Sequence, residues 1–359
     1  MRHQWRAVFL GTLAVVMVVV FASSTVAGQA SSAGAKATPA AEQTYTAPRT
    51  PDGQPDLQGV WENNDATPFE RPEELHGRQF LTDAEVASLK SRAAELFNGE
   101  TDAAFGDQLF LAAIKDAEDF KSSDTTGNYN HFWIVDRQWD NRTSVVSDPA
   151  DGRIPALSPE GEKKRAAQAE RQKMHPADGP EDLPLSHRCV TFGVPRIDAG
   201  YNSYFQIVQT RDHVAIAQEM IHDVRLIPLD GRPHLPSDVK QWHGDSRGRW
   251  DGDTLVVETK NFSPLSGLPG RNARRLSAEN LHTIERFTRT GPKTIRWDVT
   301  VTDPTTWTRP WTATVMLRHT TDQIYEMACH EGNEGLPGAL SGYRFQEKKA
   351  AEAAKAGAK

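Results

Sequence analysis

The densest group of side chains suited to acid–base chemistry lies in the segment 212–223. It contains Asp212, His213, Glu219, His222 and Asp223. If residues 211–212 form a two-residue hairpin turn, Glu219 stands opposite Tyr204 on the preceding strand. Ala215 and Ala217 lie on the same face and leave space. We therefore predict a pocket in which Glu219 acts as acid or base and Tyr204 and His222 contact the substrate. A solvent-facing polar edge is the alternative.

A second group follows from the hairpin predicted over residues 282–302. Pairing Arg289 with Thr294 places His282 and Arg286 on the apolar, inward face. In this register Arg286 stacks on Trp297. Both are candidate substrate-binding residues, and His282 is a candidate catalytic residue. A structural ion pair inside the fold is the alternative interpretation.

A third group lies near the end of the last predicted strand. His330 and Glu331 follow Cys329 there and form a candidate acid–base pair. The local sequence HEGNE lacks the second histidine of the HExxH zinc motif, so a zinc protease is not indicated.

Aromatic residues form a fourth pattern, in which tryptophans alternate with arginines. The tryptophans are Trp242, Trp250, Trp297, Trp307 and Trp311. They could stack against flat rings or sugars, or they could simply fill the core.

Motifs for nucleotide binding, covalent haem and the nucleophile elbow are absent from the sequence, and no histidine spacing specifies a metal. No cofactor is predicted.

Composition limits the class of partner. The chain has 359 residues, two cysteines and a formal net charge of −7. These values are typical of a globular protein, and the excess of acidic residues argues against a nucleic-acid partner. We expect a small-molecule ligand, with an envelope protein as a further candidate partner.

The N-terminal region predicts export. Basic residues precede an apolar run at residues 7–22, and small residues near Ala27 suit a signal peptidase. We predict a signal peptide over 1–27, a disordered linker over 28–48 and a periplasmic or secreted mature protein, without a membrane contact after cleavage. An uncleaved anchor is the alternative.

In an oxidising compartment Cys189 and Cys329 can form a disulfide; two buried thiols are the other interpretation.

The remaining pattern predicts a mainly β fold with a few N-terminal helices. A capping box at Thr82 begins one helix, a second covers about 107–120, and Ser158 caps a third that ends near Met174. Strands are predicted at 131–136, 143–147, 204–210, 213–220, 224–228, 253–261, 282–289, 294–302, 311–319 and 323–329. Consecutive hairpins favour an antiparallel meander that forms a calycin- or lipocalin-like barrel, or a sandwich. One domain is expected over 49–345, with helical excursions at 82–120 and 158–174 and an Ala/Lys-rich tail at 346–359.

Six long motifs occur together: DLQGVW (56–61), RTSVVSDPADGRIP (142–155), IHDVRLIPLDGRPHLP (221–236), DSRGRWDGDTLVVET (245–259), DPTTWTRPW (303–311) and YEMACHEGN (325–333). Together they resemble a family of exported proteins of soil bacteria, acidobacteria especially, over roughly residues 50–345. The resemblance implies a β-rich exported fold and carries no activity, cofactor or catalytic residue.

Three functional hypotheses follow. The first is a cofactor-free acid–base enzyme (lyase, hydratase, isomerase or hydrolase) on a small organic or sugar-like substrate. The second is a non-catalytic ligand-binding barrel. The third is an accessory subunit of an envelope complex, which predicts an exposed apolar patch.

Overall fold

A computed structural model of the chain describes residues 45–98, 102–115, 136–268 and 279–357, together with residues 117, 120, 131, 134 and 276. The predicted signal peptide, most of the predicted linker, part of the end of the second predicted helix and half of the predicted strand 131–136 lie outside these residues. Among the described residues, no helix has the length and apolar character needed to cross a membrane.

Ten strands form one antiparallel sheet. They are β1 (Gly59–Glu62), β2 (Val146–Asp148), β3 (Tyr204–Gln209), β4 (His213–Gln218), β5 (Val224–Pro228), β6 (Asp245–Asp251), β7 (Thr254–Lys260), β8 (His282–Gly291), β9 (Thr294–Thr302) and β10 (Trp311–Thr320). The hydrogen-bonded order is β5-β4-β3-β1-β10-β9-β8-β7-β6, and β2 pairs with β10. The prediction of a mainly β, antiparallel fold is confirmed, and within the described ranges no strand pairing joins β5 to β6.

Four α-helices accompany the sheet within the described residues. They are α1 (Asp83–Leu96), α2 (Gln108–Ile114), α3 (Pro159–Met174) and α4 (Gly335–Gly357). The predicted capping box of α1 is present between Thr82 and Glu85, and Ser158 caps α3 through the amide of Gly161. Residues 346–357, which the sequence suggested only as a tail, continue the exposed helix α4.

The predicted strand 323–329 is wrong, because both edges of β10 are already occupied. One edge pairs with β9, and the other pairs with β1 and β2, with Val60 of β1 opposite Thr320. A hairpin after Thr320 therefore finds no free strand edge, and the chain continues without regular structure to α4.

The predicted register of the β8–β9 hairpin is also wrong, by one residue. An irregularity between Arg289 and Gly291 shifts the pairing, so Phe287 lies opposite Trp297. His282 and Arg286 consequently lie on the outward face, since a one-residue shift exchanges the two faces of a strand. Arg286 donates to Asp251 at 2.9 Å instead of stacking on Trp297.

The tryptophans mostly fill the core. Trp61, Trp297, Trp307 and Trp311 are fully buried, whereas Trp242 is exposed. Trp297 stacks on Phe287 with ring centroids 5.3 Å apart and an interplanar angle of 14°. For these buried rings the core-packing interpretation holds.

A buried ion pair shows that the sheet curls strongly, since it joins two strands that lie far apart in the order of the sheet. Arg225 of β5 and Glu285 of β8 are six strand positions apart, which is roughly 29 Å in a flat sheet. Their side chains nevertheless form a two-point ion pair, with N–O distances of 2.6 Å and 2.9 Å. Trp297 Nε1 also donates to Glu285 at 3.2 Å. The inner surfaces of the two ends of the sheet therefore face each other, as in a sandwich.

The two edge strands also meet through a glycine. A Cβ atom on Gly248 of β6 would lie 2.6 Å from Leu229 Cδ2 and 2.8 Å from Ile227 Cγ2. The missing side chain therefore lets β6 approach the end of β5.

We expect Gly248→Val to destabilise the protein by about 1–3 kcal/mol, because the new side chain overpacks this contact. Arg249→Val, on the outward face of the same strand, is the matched control and should change stability by less than about 0.5 kcal/mol. Urea denaturation measures both, and equal effects of the two variants would contradict the close approach of β5 and β6.

We expect Glu285→Ala to cost about 3–5 kcal/mol, because it leaves the charge of Arg225 buried without a partner. The double variant Arg225→Met/Glu285→Leu should recover most of that loss in the same denaturation assay. A double variant as unstable as Glu285→Ala would show that the ion pair itself is required.

Candidate functional site

A partly enclosed pocket lies between the inner faces of β3, β4, β5, β8, β9 and β10. Its walls are mostly apolar, from Val194, Phe205, Ile207, Ile216, Phe287, Trp297 and Leu317. Its polar lining residues are Arg196, Gln218, Asp223 and Arg225. The space between them holds about one water molecule, so a larger ligand must displace side chains.

Local chain geometry brings Asp223 to this pocket. β4 ends at Gln218, and Ile221 and His222 then adopt left-handed conformations, with φ of 60° and 59°. The chain reverses tightly there, and the Gln218 amide donates to the Asp223 carbonyl at 2.9 Å. Left-handed conformations are unfavourable for a β-branched residue such as Ile221, so the surrounding fold must impose this turn.

Asp223 is held on one side only. Its Oδ2 accepts from Thr191 Oγ1 at 2.9 Å and from Gln218 Nε2 at 3.0 Å, and it lies 3.4 Å from His243 Nε2. All of these contacts use Oδ2, so among the described residues Oδ1 has no partner and is available to a ligand.

His243 connects this carboxylate with solvent. Its Nε2 lies 2.9 Å from Thr191 Oγ1, and its side chain is 23% exposed. The Thr191 hydroxyl also accepts from the Gly193 amide at 2.9 Å. The arrangement fits Thr191 donating to Asp223 while it accepts from His243, which leaves the other imidazole nitrogen for proton exchange.

Two arginines line the pocket with different roles. Arg225 is neutralised by Glu285, as described above. Arg196 donates instead to the carbonyls of Tyr201 and Asn202, while its buried Nε has no hydrogen-bond partner among the residues that the structure describes. Burial lowers the pKa of Arg196 to about 10, and the nearby carboxylates of Asp198 and Glu219 partly offset that effect.

The predicted pairing of Glu219 with Tyr204 is present, with its predicted turn. The Glu219 amide donates to the Tyr204 carbonyl at 2.9 Å, and residues 211–212 form the turn between β3 and β4. This face of the sheet points outward, away from the pocket. It also carries the exposed apolar residues Val208 and Leu226.

An acidic environment surrounds Tyr204. Its hydroxyl hydrogen-bonds Glu62, and burial with the nearby carboxylates of Glu62, Asp322 and Glu219 raises the pKa of Tyr204 to about 12. Burial, Asp322 and Asp136 also raise the pKa of Glu62 above its usual value. Glu219 itself is buried and accepts from the Tyr325 amide at 3.2 Å.

The other predicted site residues are dispersed. His282 lies 2.9 Å from Glu258 on the outward face, where His234 and Asp245 form a neighbouring pair at 2.8 Å. His222, His330 and Glu331 are exposed. Of the predicted set, only Trp297 lines the pocket. The predicted catalytic roles and substrate contacts of the other residues stay predictions.

The predicted disulfide between Cys189 and Cys329 is present, across a sequence separation of 140 residues. It ties the segment after β10 to the loop that carries Thr191, two residues beyond Cys189. Asn333 reinforces this junction by donating to the His187 carbonyl at 3.1 Å.

Thr191, Arg196, Arg225 and His243 were not predicted from the sequence. In β5, the alternation of Arg225 with apolar Val224 and Leu226 predicts an outward arginine and an apolar interior. The structure has the reverse, with Arg225 buried and both apolar neighbours exposed. Thr191, Arg196 and His243 lie in loops, where no such alternation exists.

No group of three or more metal-ligating side chains occurs in the part of the chain that the structure describes. Comparison with family models, with curated proteins and with solved structures finds no match.

We expect Glu62→Gln to stabilise the protein more at about pH 8 than at pH 4.5. A raised pKa means that the folded state binds this proton more tightly than the unfolded state. The contribution of Glu62 to stability therefore falls as pH rises through that pKa, and glutamine removes the fall. Urea midpoints at the two pH values measure it, with the exposed Glu170→Gln on α3 as control. An equal gain at both pH values would contradict the raised pKa.

Proposed function

We propose that this protein is an acid–base enzyme for a small organic substrate, and that Asp223 exchanges a proton with that substrate. The proposal rests on the contacts of Asp223, which lines the pocket. Thr191, Gln218 and His243 all contact its Oδ2, so one carboxylate oxygen is fixed and the other is not. A carboxylate fixed in this way is oriented for proton transfer through Oδ1.

The other residues have complementary roles. His243 returns the proton to solvent, because it contacts Thr191 beside Asp223 and is partly exposed. Arg196 supplies positive charge and an unpartnered donor to a substrate oxygen that becomes negative. Isomerisation, elimination and hydration all include such a proton transfer.

The curled sheet serves in this proposal as a calycin- or lipocalin-like barrel that holds the ligand. The contact of Gly248 with Ile227 and Leu229 supports it, because the two edge strands approach there.

A second candidate is a non-catalytic binding protein. The mostly apolar pocket wall, which includes the rings of Phe205, Phe287 and Trp297, favours that alternative.

We propose further that the protein works outside the cytoplasm, in the periplasm or as a secreted protein. The disulfide supports this location, because such bonds persist in oxidising compartments. The predicted signal peptide over residues 1–27 agrees with it.

The first step of the test identifies the ligand. Native and denatured masses of the mature protein, purified from its own cell envelope, are compared. Mass that is present only in the native state is the bound compound, and it becomes the first substrate candidate, followed by related small carbonyl and hydroxy compounds.

We expect Asp223→Asn to lower turnover of the identified compound by about 10²–10⁴-fold, because the proton acceptor is removed without a change in shape. Asp230→Asn, at an exposed carboxylate paired with Arg232, is the charge-matched control and should keep full activity. Undiminished turnover by Asp223→Asn would refute the proposed role. Binding without turnover in the wild-type protein would establish the binding protein instead.

A further inference from the structure

The pocket offers one fixed hydrogen-bond donor to a ligand. Both terminal nitrogens of Arg196 are engaged by the carbonyls of Tyr201 and Asn202, so the guanidinium cannot turn freely. Its Nε is buried, and no group in the described part of the chain accepts from it. A buried, unpaired donor costs free energy, and a ligand oxygen that accepts from it removes this cost.

The same pocket offers one fixed acceptor. Asp223 keeps Oδ1 free of contacts among the described residues, while Oδ2 is held by its neighbours. A ligand hydroxyl can donate to Oδ1. A donor and an acceptor in one small pocket select a ligand that carries an oxygen acceptor close to a hydroxyl group.

The surrounding charges favour a neutral ligand. Arg225 is neutralised by Glu285, which leaves Arg196 as the cation of the pocket lining. Against it stand Asp223 in the pocket wall and the carboxylates of Asp198 and Glu219, which interact electrostatically with Arg196. An anionic ligand would add a further negative charge in a poorly solvated space.

The apolar wall favours a flat body. Phe287 and Trp297 stack nearly parallel, and Phe205 meets Trp297 edge-on with ring centroids 5.8 Å apart. A planar group can insert along these rings when side chains yield, and aromatic packing then contributes to its binding.

We propose that the substrates of this pocket are neutral α-hydroxycarbonyl compounds with a planar apolar body, an inference that rests on the acid–base function proposed above. The carbonyl oxygen accepts from Arg196 Nε, and the hydroxyl lies at Asp223.

The corresponding reaction is an isomerisation that needs no oxidant. Asp223 removes a proton from the carbon that bears the hydroxyl, and the electron pair of that C–H bond forms the double bond of an enediolate. The carbonyl electron pair moves to its oxygen, which Arg196 stabilises. Protonation of the former carbonyl carbon, with one proton moved between the oxygens, gives the isomeric hydroxycarbonyl compound.

Three probes of similar size test the ligand class on the wild-type protein. Phenacyl alcohol is a neutral hydroxy ketone, acetophenone lacks the hydroxyl, and mandelate carries a carboxylate in place of the ketone. Ligand-observed NMR titration should give a Kd for phenacyl alcohol at least about tenfold below those of both others, since a buried polar group discriminates against an analogue that leaves it unpaired. Equal binding of acetophenone, tighter binding of mandelate, or no binding of phenacyl alcohol would overturn the proposal.

Deuterium exchange separates this inference from the proposed function. The carbinol protons of phenacyl alcohol should exchange in D₂O with the wild-type protein, and about a hundredfold or more slowly with Asp223→Asn. Arg196→Lys is a supplementary variant only, because Arg196 also supports the carbonyls of Tyr201 and Asn202. Selective binding without exchange would uphold the ligand class and refute the acid–base function. If the exchange survives in Asp223→Asn, Asp223 is not the proton acceptor, and its role is refuted in the proposed acid–base function and in the isomerisation alike.

Discussion

The described architecture depends on one constraint, the meeting of β5 and β8 across the interior at the buried ion pair between Arg225 and Glu285. It joins two strands that are distant along the sheet, and it does so in the interior, where charges are tolerated only when paired. Because Trp297 also donates to Glu285, the pair fixes the orientation of the largest aromatic ring in the pocket wall. The curvature of the sheet, the position of the pocket and the orientation of Trp297 in its wall therefore all follow from this meeting of β5 and β8.

The same pair explains how a pocket with a carboxylate can exist in an otherwise apolar interior. Asp223 lies immediately before β5, two positions from Arg225 along the chain, and both residues line the pocket. Neutralisation of Arg225 by Glu285 leaves Asp223 to be satisfied by Thr191, Gln218 and His243. Arg225 and Glu285 thus satisfy each other and have a structural role. Asp223, in contrast, keeps one oxygen without a partner among the described residues.

Sequence reasoning succeeded where the relevant contacts are local. The β3–β4 hairpin was predicted in register because its two-residue turn determines the pairing, and the helix at Thr82 was predicted from its capping box. It failed at β8–β9, where one irregular residue near Gly291 exchanges the two faces. It failed again after Thr320, because β1 enters the sheet from a distant part of the sequence and occupies the edge of β10.

The candidate site was only partly predictable for the same reason. Asp223 stood out in a dense group of titratable residues, but its partners Thr191 and His243 come from loops on either side in sequence. Nothing in the spacing of these residues reveals that they meet, because the contact depends on how the whole sheet curls.

The disulfide between Cys189 and Cys329 makes a closed covalent ring of the residues between them. Strands β3 to β10 all lie within this ring, whereas β1, which sits between β3 and β10 in the sheet, lies outside it. A single peptide-bond cleavage in any loop of the ring consequently leaves one covalently connected molecule with both flanking strands retained. The loop between β5 and β6, which carries His243, can therefore be cut by a protease without release of a fragment.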